Sequence, residues 1–203
     1  MSDLQPYHHG NLRSALIEAA REAVARDGHE ALSLRALAEV LGVARSAPYR
    51  HFPEKNALLA EVAKLGFEHL VKSLAEISAT AAGPRDKLVA TGRSFLEFVR
   101  GNPELFRLMY EAGLLRDADA PQYLAQAQRD TYMMLDTLYG QWLPEANAKL
   151  RQLRMITLWS ALYGYAKISQ AGLLQDYMTD AVTQQEMEQA LLDAMLAWPP
   201  AGN

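Results

Sequence analysis

From Ser33 to Leu59, SLRALAEVLGVARSAPYRHFPEKNALL, apolar and polar positions spell two short helices parted at Gly42-Val43 and then a longer one. Leu34, Leu37, Ala38 and Leu41 fall at i, i+3, i+4 and i+7, a stripe that buries one face and leaves Arg35 and Glu39 to water. Gly42 ends that helix, because the residue past a helix end often needs positive φ and glycine reaches it without a Cβ clash. A second short helix is predicted to restart within about three residues. That layout is a helix-turn-helix, and the second helix would carry the surface that reads DNA.

The same periodicity predicts an opening helix from Asn11 to Arg26, with Leu12, Leu16, Ala19, Ala20, Ala23 and Val24 on one face and Asp27-Gly28 closing it. Pro53 or Glu54 opens a long helix to Thr80, with Leu58, Val62, Leu65, Leu70, Leu74 and Ile77 inward; at ~1.5 Å per residue it spans roughly 40 Å. Ala82-Gly83-Pro84 breaks the pattern, and a helix carrying Leu88, Gly92, Phe95, Leu96 and Val99 follows. Next comes Gly101-Asn102-Pro103, where Asn102 can cap and Pro103 can open a helix to Leu115 with Leu105, Phe106, Met109 and Tyr110 inward. Beyond the polar Asp117-Ala118-Asp119, a helix bears Leu124, Thr131, Leu135, Leu138 and Trp142 and stops at Pro144. Two more are predicted, Ala146 to Gln170 and Gln184 to Trp198. There is no strand-like alternation, internal repeat or low-complexity tract, so the prediction is an all-α chain of about nine helices.

The last two helices are apolar on more than one side. The penultimate one has Leu150, Leu153, Thr157, Ser160, Ala161, Gly164 and Ile168 on one face, and Met155, Trp159, Leu162 and Tyr163 around another. Small residues at Ser160, Ala161 and Gly164 permit close helix approach. The final helix offers Met187, Leu191, Met195 and Trp198 beside Leu192 and Leu196. One face of each can pack on its own subunit while the other takes a partner. A two-fold homodimer needs only one self-complementary patch, and assigns Thr157, Ala161, Gly164, Ile168, Met187, Leu191 and Met195 to it. The alternative is that both faces are core.

With 203 residues, half of them hydrophobic, the chain can bury a real core. A net charge of −4 is unexpected for a nucleic-acid binder, since phosphate neutralisation supplies much of the affinity. Its distribution changes the picture: residues 1 to 55 hold seven Lys/Arg against seven Asp/Glu, and residues 56 to 203 hold thirteen against seventeen. Between Ser33 and Lys55 the balance is +2, from Arg35, Arg45, Arg50 and Lys55 against Glu39 and Glu54. Zero cysteines remove disulfides, thiolate nucleophiles and cysteine-based zinc sites. The start lacks a basic segment followed by an apolar stretch, and no run of about eighteen apolar residues occurs, so a cytoplasmic location is expected. His8-His9 do not share a helix face and have no His-Glu-x-x-His or Cys partner set, so no metal is expected. Neither a cofactor nor catalysis is expected, because no Gly-rich phosphate loop, nucleophile elbow or Ser/His/Asp cluster appears.

Ser33, Leu37-Ala38, Gly42-Val43, Tyr49-Arg50-His51-Phe52, Lys55 and Leu58 together resemble the DNA-binding domain of TetR-type transcriptional regulators, over residues 8 to 70. Further on, Trp159-Ser-Ala-Leu-Tyr163-Gly164 is similar to the Trp-His-Gly signature of one C-terminal subgroup, with Tyr163 in place of His. Two departures touch the reading helix. Ala44 stands where the family often has a capping Ser or Thr, and Pro48 removes a backbone donor. The resemblance implies a helix-turn-helix DNA-binding domain at 1–55 and an effector-binding and dimerisation domain at 56–203.

In that reading Ser33 caps its helix near a phosphate and Arg35 adds an ionic contact. Arg45, Ser46 and Tyr49 are candidates for the groove, since arginine bonds guanine O6 and N7 in a fork and hydroxyls reach bases or phosphates. Tyr49, His51 and Lys55 would grip phosphates; His51 serves equally as a packed core histidine, and Phe52 is core. Aromatics and methionines are dense between Phe95 and Tyr165, and Phe106, Met109, Tyr110, Met134, Trp142, Trp159 and Tyr163 are the candidates to line a pocket for a hydrophobic or aromatic effector. The function expected is a homodimeric repressor on a near-palindromic operator. Two readings stand beside it: a ligand-independent architectural or division-linked DNA-binding factor, and a helical metabolite-binding protein or enzyme whose N-terminal unit only docks.

Overall fold

Ser33 caps the first short helix as its side chain and spacing predict: φ −135° and ψ 125° hold it extended, and Oγ accepts from the Ala36 N–H at 3.5 Å. In this computed structural model, which describes residues 12–116 and 120–197, that helix is α2 (Leu34–Val40). Around it run α1 (Leu12–Asp27), a single 3-10 turn (Pro48–Arg50), α3 (Lys55–Ser78), α4 (Pro84–Gly101), α5 (Pro103–Tyr110), α6 (Gln122–Trp142), α7 (Ala148–Gln170), α8 (Asp176–Thr179) and α9 (Gln184–Ala197). Among the described residues there are thus nine α-helices and no strand. The predicted start at Asn11, the His8-His9 pair, the break at 117–119 and the end at Trp198 lie outside the described residues.

The packing divides into two compact units. The first takes the chain up to Phe67 together with residues 104–127. Its core holds Leu16, Ala20 and Val24 of α1, Leu34, Leu37 and Ala38 of α2, Phe52, and Leu58, Val62 and Phe67 of α3. Phe106, Leu108 and Met109 of α5 are buried in the same unit. Arg13 fastens α1 to α3, bonding Glu61 at 2.5 Å while its guanidinium lies 5.3 Å from the centre of the Phe52 ring. Of the predicted stripe of α5, Phe106 and Met109 are buried and Leu105 and Tyr110 half-buried, while Leu108, outside it, is wholly buried; the helix stops at Tyr110 instead of Leu115. Glu111 N–H makes the last helical bond, to Arg107 at 2.8 Å, and Gly113 at φ +79° then turns the chain.

The second unit comprises residues 68–103 and 128–203. In it α4, α7 and α9 pack pairwise. Asn102 closes α4, its backbone and side-chain amides both donating to the Phe98 carbonyl at 2.9 and 3.0 Å. Three arginines of α4 bond to α9 in antiparallel order: Arg85 to Asp193 at 2.7 Å, Arg93 to Gln189, and Arg100 to the buried Glu188 at 2.8 Å. α9 opens with a capping box, Thr183 N–H donating to the Glu186 carboxylate at 2.7 Å and Glu186 N–H to Thr183 Oγ1 at 3.2 Å. Those bonds from the Thr183 amide and hydroxyl hold the Glu186 carboxyl below the usual carboxylate range. The four-residue α8 had no signature in the pattern.

Gly92 of α4 faces Leu192 of α9 so closely that a Cβ would overlap the leucine Cδ2. Gly92→Val is therefore expected to overpack this contact and lower stability by about 1–3 kcal/mol. A thermal melt checks it: an unchanged midpoint would show that the leucine swings aside without cost.

Candidate nucleic-acid interface

After α2 the backbone turns on Gly42, whose φ of +64° is the left-handed value the stripe demanded. The Val43 N–H returns to the Ala38 carbonyl at 2.9 Å and fixes the departure of the next segment. No α-helix follows. The predicted reading helix is a turn at residues 45–47 running into the 3-10 turn Pro48–Arg50. Its bonds are of the tighter kind: Ala47 N–H to Ala44 O at 2.8 Å, Arg50 N–H to Ala47 O at 3.2 Å and His51 N–H to Pro48 O at 3.0 Å. The cause lies in two residues. Pro48 has no N–H to give the Ala44 carbonyl its i+4 partner, and Ala44 has no side-chain oxygen to cap the start.

The consequence for presentation is small. Pro48 is buried, and Arg45, Ser46, Tyr49, Arg50 and His51 are exposed on the same short segment. Tyr49 is 44% exposed. The packed-core alternative for His51 does not hold, because its side chain lies on the surface. Ser33 and Arg35 are exposed at the start of α2. Lys55, half-buried at the start of α3, donates to the Glu30 carbonyl at 2.6 Å. That bond uses one of three ammonium donors. Arg45 Nη2 donates to Glu39 Oε1 at 2.9 Å, an exposed pair across the Gly42 turn. Arg50 and Val40, the latter 76% exposed, are open to solvent as well. Sequence reasoning named neither as a contact, although Val40 falls off the apolar stripe and was legible as exposed.

The pocket candidates divide between the units. In the first, Tyr110 meets Phe67 edge-on at 5.6 Å and Phe106 at 5.1 Å, with Phe106 and Met109 fully enclosed. In the second, Trp142 lies 5.8 Å from Tyr139 and under the Arg154 guanidinium at 5.3 Å, while Trp159 and Tyr163 pair at 5.4 Å. Met134 is half-buried on α6. Burial pushes the Tyr110 and Tyr139 phenols far up, so both remain neutral hydrogen-bonding groups at any working pH. Arg154, only 5% exposed, was missed. Its spacing of four from Leu158 and eight from Leu162, both buried, was the available signal.

On α7 the inward side is Met155, Leu158, Leu162 and Ala166. The opposite side leaves Leu153, Ile156, Thr157 and Ile168 exposed, with Ala161 and Gly164 half-buried. A Cβ added at Gly164 would meet nothing within 4 Å. On α9 Met187, Leu191 and Met195 are half-buried beside the inward Leu192 and Leu196.

Two family models match these two parts: bacterial regulatory proteins of the tetR family over residues 16–62, and the tetracyclin repressor-like C-terminal domain over residues 88–195. The chain belongs to the TetR family. It is a transcriptional regulator and not an enzyme. TetR-family regulators bind DNA and act as dimers. Among curated relatives, the HTH-type transcriptional activator FasR of Mycolicibacterium smegmatis is 25% identical over 146 residues, 72% of this chain and 65% of that protein. A solved protein of unknown function from Rhodococcus sp. RHA1 is 27% identical with a TM-score of 0.78, covering 94% of this chain and 96% of that one. The regulator FadR of Bacillus subtilis, solved in complex with stearoyl-CoA, has the same fold at 15% identity and a TM-score of 0.70, covering 91% of this chain and 98% of its own. As a TetR-family chain it has, among the described residues, no helix long and apolar enough to cross a membrane and no group of three or more metal-ligating side chains.

Proposed function

We propose that the protein is a homodimeric repressor in which residues 1–55 read a near-palindromic operator, while residues 56–203 pair the subunits and bind a small hydrophobic or aromatic effector that releases the DNA. The observation that carries this reading is the exposure of Arg45, Ser46, Tyr49, Arg50 and His51, which offer two guanidinium groups, two hydroxyls and an imidazole on one short segment. Arg45, Ser46 and Tyr49 are assigned to base edges, and Ser33, Arg35, Tyr49, His51 and Lys55 to phosphates. The subunit contact is assigned to Thr157, Ala161, Gly164 and Ile168 of α7 with Met187, Leu191 and Met195 of α9. The exposed apolar side of α7 supports it, Ile156 being 58% exposed. Of the effector candidates, Met134, Trp142, Trp159 and Tyr163 of the second unit are assigned to the effector, while Phe106, Met109 and Tyr110 belong to the first unit, where Phe106 and Met109 are enclosed. The stearoyl-CoA held by the Bacillus subtilis relative, a ligand with a long apolar tail, favours an apolar effector here too. Coupling then follows from linkage: an effector that prefers a badly spaced pair of reading turns weakens DNA by the factor that DNA weakens the effector.

Selection of bound fragments from random duplex DNA with purified protein tests the reading. A near-palindrome with half-sites one helical turn or a multiple apart is expected, and winners lacking two-fold symmetry would overturn it. On the selected duplex, Lys55→Ala is expected to weaken all sequences alike and to flatten the logarithmic salt dependence by ~0.9 per lost phosphate contact. An unaltered slope would remove Lys55 from the phosphate contacts.

A further inference from the structure

The guanidinium assigned to a base edge does not hang free. Arg45 Nη2 donates to Glu39 Oε1 at 2.9 Å, between residues on opposite sides of the Gly42 turn. Glu39 itself sits on the last turn of α2, where hydrogen bonds from Leu41 and Gly42 close the helix, so its carboxylate is carried by rigid backbone. Arg45 is on the segment without an α-helical ladder, and its side chain is 77% exposed. A pair this exposed adds little to folding. Its effect is on where the fork points.

We propose that Glu39 is the positioning residue for base reading by Arg45, an inference that rests on the assignment of Arg45 to a base edge. Guanidinium presents two forked edges, Nε with Nη2 and Nη1 with Nη2, and Nη2 gives one hydrogen to each. One hydrogen of Nη2 held by Glu39 therefore leaves the other edge complete for guanine O6 and N7. A long arginine otherwise loses its rotamer freedom only on meeting DNA, and the carboxylate orders it beforehand. The same carboxylate also repels the phosphates around the site. Glu39 thus gives up general affinity and raises discrimination, two effects that separate on measurement.

The test uses the full-length protein and a duplex recovered by selection from random DNA, its single-position variants, and an unrelated duplex. Arg45→Ala identifies the base pair read. Glu39→Ala is expected to bind the unrelated duplex more tightly by a few-fold and to lower discrimination at that one base pair by about 3- to 10-fold, with the other positions unchanged. Glu39→Gln, which keeps an acceptor oxygen but no charge, should fall between. Glu54→Gln removes an exposed carboxylate from the same segment, and should raise affinity for every duplex without altering any preference. If Glu39→Ala tightens binding and leaves discrimination intact, Glu39 merely competes with DNA for the guanidinium and the positioning role is wrong. If it lowers discrimination at all positions equally, its role is structural and the proposal also fails. Should Arg45→Ala flatten no position, the base-reading assignment falls first and takes the proposal with it.

Discussion

Phe52→Ala should abolish specific DNA binding by unfolding the end of the chain that reads it. The ring is 2% exposed, lies under the Arg13 guanidinium, and belongs to the residue whose N–H reaches back four residues to Pro48 O at 2.9 Å, just past the 3-10 turn. Removing a buried phenylalanine typically costs about 3–5 kcal/mol, against a total stability of about 5–15 kcal/mol for an ordinary domain. The turn bearing Arg45, Ser46 and Tyr49 loses its anchor in the same step. Thermal melting followed by circular dichroism, with titration against a selected duplex, reads both effects. A variant that melts and binds like the parent would show that the turn is held by something other than this ring.

Gly164→Trp should leave the subunit folded and split the proposed dimer. Nothing within 4 Å of a Cβ at this position belongs to the subunit itself, so its own packing does not require glycine there. Gly164→Ala should even strengthen α7 by about 1 kcal/mol, because alanine is the better helix former. Tryptophan would instead enter a two-fold contact twice. Overpacking of about 1–3 kcal/mol at each copy raises the dissociation constant by roughly 30-fold to 20,000-fold. Sedimentation equilibrium of the two variants decides it. Tryptophan protein that remains dimeric at the parent's concentration would move the interface off this side of α7.

The fold was largely legible because burial and the helical period point the same way. Leu34, Leu37 and Ala38 are all buried, and Gly42 takes the predicted positive φ. The failures have separate physical causes. A three-residue turn is too short to show a period, so the effect of Pro48 on hydrogen bonding was visible only as a missing donor. Arg154 and Glu188 are buried although charges usually lie in water, and the Arg100 partner of Glu188 stands 88 residues away in the chain. The Glu39–Arg45 pair, six residues apart, obeys no helical spacing because a glycine turn lies between its members. Aromatic density from Phe95 onward could not tell lining from filling: Phe106 is wholly enclosed, whereas Trp159 is 44% exposed.

The 3-10 turn has a consequence for how such a regulator changes its target. Main-chain bonds and the inward Pro48 hold its shape, while the side chains at 46, 49 and 50 contribute no hydrogen bond to that scaffold and Arg45 contributes only its exposed pair with Glu39. They are interchangeable type set in a fixed frame. Duplicated genes could therefore diverge toward new promoters by substitution at these few letters alone, with melting temperature and subunit pairing carried over intact.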